Sequence, residues 1–314
     1  MAEGLLCVGL GTVDILARPV ESLPETEAVE FVDALRLDPA GTAGGMAIVA
    51  SCLGVRTRLC SAVGDDATGK LARLVYQERG IDVSLLATVP DMPTSTTLIA
   101  IKRDGRRSRF HLHGASLKLE LGEEAFAAAR SVKYLHYGAI GAPQLDGGAG
   151  AELAAAARKA GALVTCDMVL RPNGLEELRR VLPFVDFFMP NCEEALRVSG
   201  RATLAEAGHF FRDLGAASCI IKDGPRGSLL VAREGCTRVP AHMIEPVDTT
   251  SCGDSYCAGL IAALDRGRPL SEACRFASAV AALVASGVGT LGLLEGFEQA
   301  DEFRRRTPLR EVRR

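Results

Sequence analysis

The stretch Asp248-Thr249-Thr250-Ser251-Cys252-Gly253-Asp254-Ser255-Tyr256-Cys257-Ala258-Gly259 runs small and polar residues straight into an apolar helix. Free backbone N–H groups at a helix start, helped by the helix dipole, bind anions. Gly253 lets an anion approach closely, and Asp254 sets a carboxylate beside it. A carboxylate there repels a resting phosphate. It suits a general base that takes a proton from an attacking hydroxyl. A helix start with acidic capping residues accounts for the same letters, so the stretch alone leaves both readings open.

The chain around this stretch alternates. Short apolar runs at 5–10, 58–63, 132–137, 162–166, 185–189 and 218–221 suit strands covered on both faces. Helical segments lie between them, at 67–79 before Gly80 and at 150–160 before Gly161, a good C-terminal stop. Thr203 and Glu206 form a capping box that opens a helix through Leu214. Two long helices follow at 253–266 and 271–285. This order predicts a doubly wound α/β fold with a mostly parallel sheet flanked by helices. One stretch breaks the rhythm: 94–101 and 108–113 are β-like and joined by a polar run containing Gly105, which reads as a hairpin. Residues 15–40 lack helical periodicity and hold Pro19, Pro24 and Pro39. These two segments predict a small β layer beside the main sheet. With no repeat and no linker in view, 1–314 reads as a single domain.

Composition narrows the function. The 314 residues are 48% hydrophobic and 24% charged, as in ordinary globular proteins. With 36 basic against 39 acidic residues, the net charge of -3 argues against a bulk nucleic-acid binder. Aromatics at 5% and no Trp leave few base-stacking platforms. No run approaches the roughly 20 apolar residues of a membrane helix, and the apolar start follows Glu3, so it reads as a first strand. A cytoplasmic protein is expected. None of the ten Cys forms a C-x-x-C pair, and most sit in apolar runs, which predicts buried thiols.

Three further elements carry chemistry. Ala40-Gly41-Thr42-Ala43-Gly44-Gly45-Met46-Ala47 opens a helix; it is a tight turn or a place where backbone approaches a small polar ligand. Ala62-Val63-Gly64-Asp65-Asp66-Ala67-Thr68-Gly69 joins a strand end to a helix, and capping alone explains Asp65 or Asp66. Pro190-Asn191-Cys192-Glu193-Glu194-Ala195 ends an apolar strand. Ligands of parallel sheets bind beyond such ends, so Asn191 and Glu194 either face nucleotide phosphates and Mg²⁺ or cap the helix that starts there.

In this order the four elements resemble the ribokinase (PfkB) family of carbohydrate kinases over nearly the whole chain. Residues 248–254 resemble its C-terminal signature, usually D-T-x-G-A-G-D; 41–47 and 64–69 resemble its N-terminal one; Asn191 and Glu194 match N-x-x-E. The resemblance implies a doubly wound core with a β lid at about 15–40 and 92–115. It implies an ATP-dependent transfer of phosphoryl to a sugar hydroxyl, with Asp254 as base and the backbone of Ser251, Cys252 and Gly253 as anion hole. Asp14, which ends the first strand in this reading, and Gly41 would contact substrate, as would the Gly44–Gly45 turn. Asn191, Lys222, Gly224, Gly227 and Ser278 would line the ATP site. Glu194 would organise Mg²⁺ through water, and Asp248 and Thr250 would form a site for a monovalent cation such as K⁺. A homodimer through the lid is also implied.

Three departures stand out. Gly45 occupies the place of a sugar-binding Asn, Ser251 and Cys252 replace Gly and Ala, and Lys222 stands where Thr is common. Nucleoside is the alternative acceptor class. A sugar phosphate would need a cationic clamp, for which Arg107 and Arg109 share one strand face with His111 and His113; a solvated hairpin tip is the simpler reading of those residues. A non-catalytic sugar or nucleotide sensor is argued against by the presence of Gly253, Asp254 and Glu194. The Gly9-Leu10-Gly11 run lacks a third glycine, since Asp14 stands there, so a dinucleotide fingerprint fails. The arginines of 304–306 and 310–314 read as a solvated helix end.

Overall fold

Alternate residues of the first strand face two different hydrophobic layers. In β1 (Leu5–Gly9), Leu5 and Cys7 pack with the helices Gly44–Cys52, Cys252–Asp265 and Leu270–Ala285, while Leu6 and Val8 pack with Glu123–Ala129, Ala149–Lys159 and Leu204–Asp213. Every residue of β1 is buried, which is why its sequence is apolar throughout rather than alternating. The computed structural model describes residues 2–25, 27–140, 149–169 and 174–311. Among these, β1 is joined in chain order by β2 (Thr12–Arg18), β3 (Ala34–Ala40), β4 (Thr57–Gly64), β5 (Asp82–Val89), β6 (Thr96–Ile101), β7 (Arg107–Leu112), β8 (Tyr134–Ile140) and β9 (Leu163–Met168). Then come β10 (Phe187–Phe188), β11 (Ser218–Lys222), β12 (Ser228–Ala232) and β13 (Gly235–Val239).

Nine of these strands form one sheet in the order β13-β12-β11-β10-β9-β8-β1-β4-β5. All pairs from β5 to β11 are parallel, and β12 and β13 add an antiparallel edge. The chain winds outward from β1 in one direction through β4 and β5, then in the other from β8 onward. That reversal places a topological switch beside β1, where ligands of open α/β sheets bind.

The remaining strands form a second sheet in the order β3-β2-β6-β7. The lid expected at 15–40 and 92–115 is therefore present, with two corrections. Its first strand begins at Thr12, because the chain leaves β1 at 10–11 and turns at once into the second sheet. Asp14 accordingly stands inside β2, not at the end of β1. The hairpin strands are Thr96–Ile101 and Arg107–Leu112. Strands β5, β12 and β13 had no reading in the sequence, and the run at 185–189 yields only the two-residue β10.

The helices read from capping and stop signals form, while Glu123–Ala129 and Gly174–Val181 had no reading in the sequence. Thr203 accepts from the Glu206 amide and Glu206 returns to Thr203, a complete capping box. Asp66 caps Ala67–Glu78 by accepting from Gly69, and its carboxylate also takes the amide and hydroxyl of Thr94, which ties that helix to the lid's second segment. The ten thiols are free, as expected, but Cys236 is exposed and Cys52, Cys192 and Cys252 are half-buried. The basic C-terminus is solvated as expected at Arg305, Arg306 and Arg310, while Arg304 is half-buried; Arg268, Arg304 and Arg305 converge on Asp301, and Arg310 donates to the Ile244 carbonyl. Residues 312–314 of that cluster lie outside the described residues. No helix among the described residues is long and apolar enough to cross a membrane.

Candidate active site

A cleft of about 660 Å³ opens at the carboxyl ends of the parallel strands, lined by Asp167 near the end of β9, Asn191 and Glu194 after β10, Lys222 at the end of β11, and Gly253 and Asp254. The last two belong to the first turn of Cys252–Asp265. Its N-cap, Ser251, turns the chain with φ 55° and ψ 7° and makes no side-chain cap. The first amides of any helix lack intrahelical acceptors. Left uncapped here, they are free to face a ligand in the cleft.

Charge is concentrated against that helix start. Lys222 is neither on the surface nor solvated: its Nζ donates to Asp167 Oδ2 at 2.5 Å, with only 11% of the side chain exposed. A Cβ built on Gly253 would lie 3.2 Å from the same Nζ. So the ammonium lies beside Gly253, next to the space that a side chain there would take. Burial opposes the Lys222 charge, but Asp167, Cys257 and Glu194 overcome this and hold it firmly protonated. Burial, with Asp167 near, pushes the Asp254 carboxyl up to about 8, against the pull of Lys222. Burial and Asp167 likewise push Glu194 up to about 7. Three carboxylates thus share one ammonium, an excess of negative charge that fits a site for a divalent cation. Among the described residues no group of three or more His, Cys, Asp or Glu could hold a metal ion.

Of the two roles that the sequence left open, Glu194 and Asn191 perform the capping one, and both also line the cleft. Asn191 accepts from the Glu194 amide at 2.9 Å, and Glu194 Oε2 accepts from the Asn191 amide at 2.8 Å. This capping box fixes both side chains at the rim of the cleft. The cleft continues through Gly224 and Gly227 to an apolar wall that includes Ile244, Pro246, Ala281 and Ala285. Gly227 has φ 86° and no room for a side chain against the Val239 carbonyl. Asp223 anchors this loop by accepting from Arg226 and Arg238. Ser278 lines the wall, but its hydroxyl donates to the Pro240 carbonyl.

Beyond Asp254, toward the lid, stand the residues that the resemblance gave to the acceptor. Gly45 faces both Asp254 Oδ2 and Ser251 Oγ, each 3.4 Å from where its Cβ would be. Gly41 has φ 91° and backs onto the Leu10 carbonyl. Gly44 faces the Tyr76 hydroxyl instead of the cleft, because a side chain there would collide with that ring, so its role is packing. Burial pushes Asp14 up to about 6, with Thr97, Thr12 and Arg109 pulling the other way. Arg107 is no solvated tip residue: it donates to Thr250 Oγ1 at 2.9 Å and lies 3.8 Å from Asp248 Oδ1. Asp248 is fully buried and accepts from the Thr250 amide and hydroxyl and from the Gly289 amide. Arg109 is exposed on the same strand face. His111 meets Thr97 at 3.1 Å and stacks edge-on with His113.

The chain matches the model of the pfkB family carbohydrate kinases over residues 2–295. The chain belongs to that family. A nucleoside kinase of Methanothermobacter thermautotrophicus is 30% identical to this pfkB-family chain over 91% of it and 90% of the relative. An aminoimidazole riboside kinase of Salmonella typhimurium is 27% identical over 84% of this chain and 87% of its own. The Arabidopsis thaliana ribokinase, solved with ribose and ATP, superposes with a TM-score of 0.80 at 23% identity, covering 97% of this chain and 99% of that one. Its likeness establishes the ribokinase fold.

Asp167 is the site residue that sequence reading missed. It closes the apolar run 162–166 as an acid at a strand's carboxyl end, a signal that was visible but unused. The apolar nucleotide wall was missed as well, since its residues read as ordinary helix core.

Proposed function

We propose that this protein transfers the γ-phosphoryl group of ATP to a hydroxyl of a sugar, with Asp254 as the general base. The observation that carries this reading is the placement of Asp254 between the uncapped helix start with Lys222 on one side and Gly45 on the other. Asp254 takes the proton of the acceptor hydroxyl. That oxygen bonds to the γ-phosphorus as the bond to the bridging oxygen breaks and ADP leaves. The amides of 251–253 and the Lys222 ammonium hold the charge on the transferred group, the usual demand of phosphoryl transfer. Mg²⁺ bound with ATP offsets phosphate charge, and Glu194 is placed to orient its water shell. Asn191 and the Gly224–Gly227 loop position the nucleotide; Asp14, Gly41 and Gly45 border the acceptor.

A nucleoside is the second reading, favoured by the likeness to a nucleoside kinase and to an aminoimidazole riboside kinase. A sugar phosphate is disfavoured, because Arg107 is already committed to Thr250 and Asp248. That same contact supplies internally the positive charge that a monovalent cation would bring to Asp248. We place the protein in the cytoplasm as a homodimer joined through the lid. The test is coupled ADP release with Mg-ATP against ribose, fructose, adenosine, inosine and their phosphates, beside Asp254→Asn. Turnover with one class that vanishes in the variant is expected. ADP release that needs no acceptor, or that survives Asp254→Asn, overturns the reading.

A further inference from the structure

Among the described residues only Asp91 and Ser251 hold positive φ without being glycine. Backbone in that region is strained for any side chain bearing a Cβ, and such strain collects at functional sites. At Ser251 the strain is avoidable, since glycine would adopt φ 55° freely. Nor does the hydroxyl repay it locally: it does not cap the helix, and it has no hydrogen-bond partner among the described residues. It points instead at Gly45, whose missing Cβ would lie 3.4 Å from Ser251 Oγ and 3.4 Å from Asp254 Oδ2.

The two positions are thus neighbours in space though about two hundred residues apart in sequence. One lacks a side chain where the acceptor must lie, and the other carries one that its backbone does not favour. We propose that Ser251 Oγ is a specificity-determining group, binding a non-reacting hydroxyl of the acceptor from the anion-hole loop, in the space that Gly45 leaves open. The inference rests on the kinase reading above and names a side chain where that reading uses only the backbone amide of Ser251. A hydroxyl beside the base is suited to the task, because it both donates and accepts. A polyol acceptor offers the matching partner. An analogue lacking that hydroxyl would leave Ser251 unpaired, which is how a polar pocket rejects deoxy compounds.

The experiment uses the acceptor found by the ADP-release panel, together with its deoxy analogues. Ser251→Ala keeps the amide and removes only the hydroxyl. KM for the acceptor is expected to rise about tenfold, the loss of one hydrogen bond, with a smaller change in kcat. Discrimination against one deoxy analogue should collapse, which a purely structural role would not cause. Ser251→Gly should show the same KM and a Tm higher by about 2 °C, since strain is relieved. Adding Gly45→Asn to Ser251→Gly should recover part of the lost affinity, making the pair non-additive. Unchanged KM and unchanged deoxy discrimination in a folded Ser251→Ala protein overturn the inference while the kinase reading stands. Absence of acceptor-dependent ADP from the whole panel overturns both.

Discussion

At the residue scale, the chemistry turns on how the protein sets the proton affinity of Asp254. Its carboxyl is pushed up to about 8 by burial first and by Asp167 second, with Lys222 opposing. Asp14 on β2 and Glu194 beyond β10 add smaller upward pushes. A base acts only when deprotonated, so kcat/KM should fall as pH drops through about 8 and approach a plateau above it. Asp254→Asn should cost about 10²–10⁴ in kcat, the span attributed to a positioned base. Stability runs the other way. Between the ordinary carboxylate range near pH 4 and about pH 8, the folded protein holds a proton on Asp254 that the unfolded chain releases. Rising pH therefore erodes stability across that window, and Asp254→Asn removes the effect. The Tm of the ligand-free variant should exceed that of the parent by a margin that grows up to about pH 8; a constant margin would refute the shift. Two neighbours test the same electrostatics with opposite signs. Asp167→Asn should move the acidic limb to lower pH and Lys222→Met should move it higher. Lys222→Met should also cost about 10²–10³ in kcat, as the loss of one charge-stabilising donor does. Limbs that move together would show that the ion pair is merely structural.

At the element scale, the lid is joined to the anion-hole loop by one strand. Arg107 reaches from β7 to Thr250, and its guanidinium is the cation paired with fully buried Asp248. Removing one partner of a buried ion pair leaves an uncompensated charge. The parent enzyme should therefore work equally well when tetramethylammonium replaces K⁺. Arg107→Gln should lose activity and regain part of it as K⁺ is titrated in, read as an initial rate. A parent enzyme that stops without K⁺ would refute the internal-cation reading. Asp66 joins the lid to the core differently, by capping one helix and holding Thr94. Asp66→Ala should cost about 1–2 kcal/mol, the value of a good N-cap, in denaturant unfolding. Elements of these kinds were unequally legible in the sequence. Capping boxes at Asn191 and Thr203, glycine stops and apolar runs are local, so they could be read directly. The antiparallel strands β12 and β13 could not, because they exist by pairing with β11 and with each other. Likewise Lys222 reads equally as a phosphate contact or a surface residue until β9 brings Asp167 beside it. Arg107 reads as hairpin tip until the lid folds over Thr250. Long-range contacts decide all three.

At the scale of the whole molecule, the lid sheet has two faces of opposite character. Period-two alternation sends Asp14, Thr97, Arg107 and Arg109 toward the site and sends Leu35, Leu37, Leu98, Phe110 and Leu112 outward. The register makes that outer set contiguous, with Ile15 opposite both Leu37 and Leu98, and Leu98 opposite Phe110. All five outer side chains are between 44% and 63% exposed. Ordinary monomers keep such contiguous apolar patches small, and larger ones mark interfaces. A patch of this kind, apolar from edge to edge, is matched by itself in a two-fold pair. A second copy of the chain is therefore the expected occupant, one lid laid against the other. The outer face carries none of the site residues, whereas β6 and β7 carry groups of both kinds on alternate positions. Dimerisation would then stiffen the strands that hold Arg107 and Arg109 without contributing atoms to the reaction. Replacing Leu37 and Phe110 together with Glu should give a monomer by light scattering. It should also raise the acceptor KM more than it lowers kcat, because the lid that positions the acceptor is loosened while Asp254 and the anion hole sit in the main domain. A parent protein that is monomeric by light scattering would refute the lid pairing. A monomeric variant with parental KM would refute the link between pairing and acceptor binding.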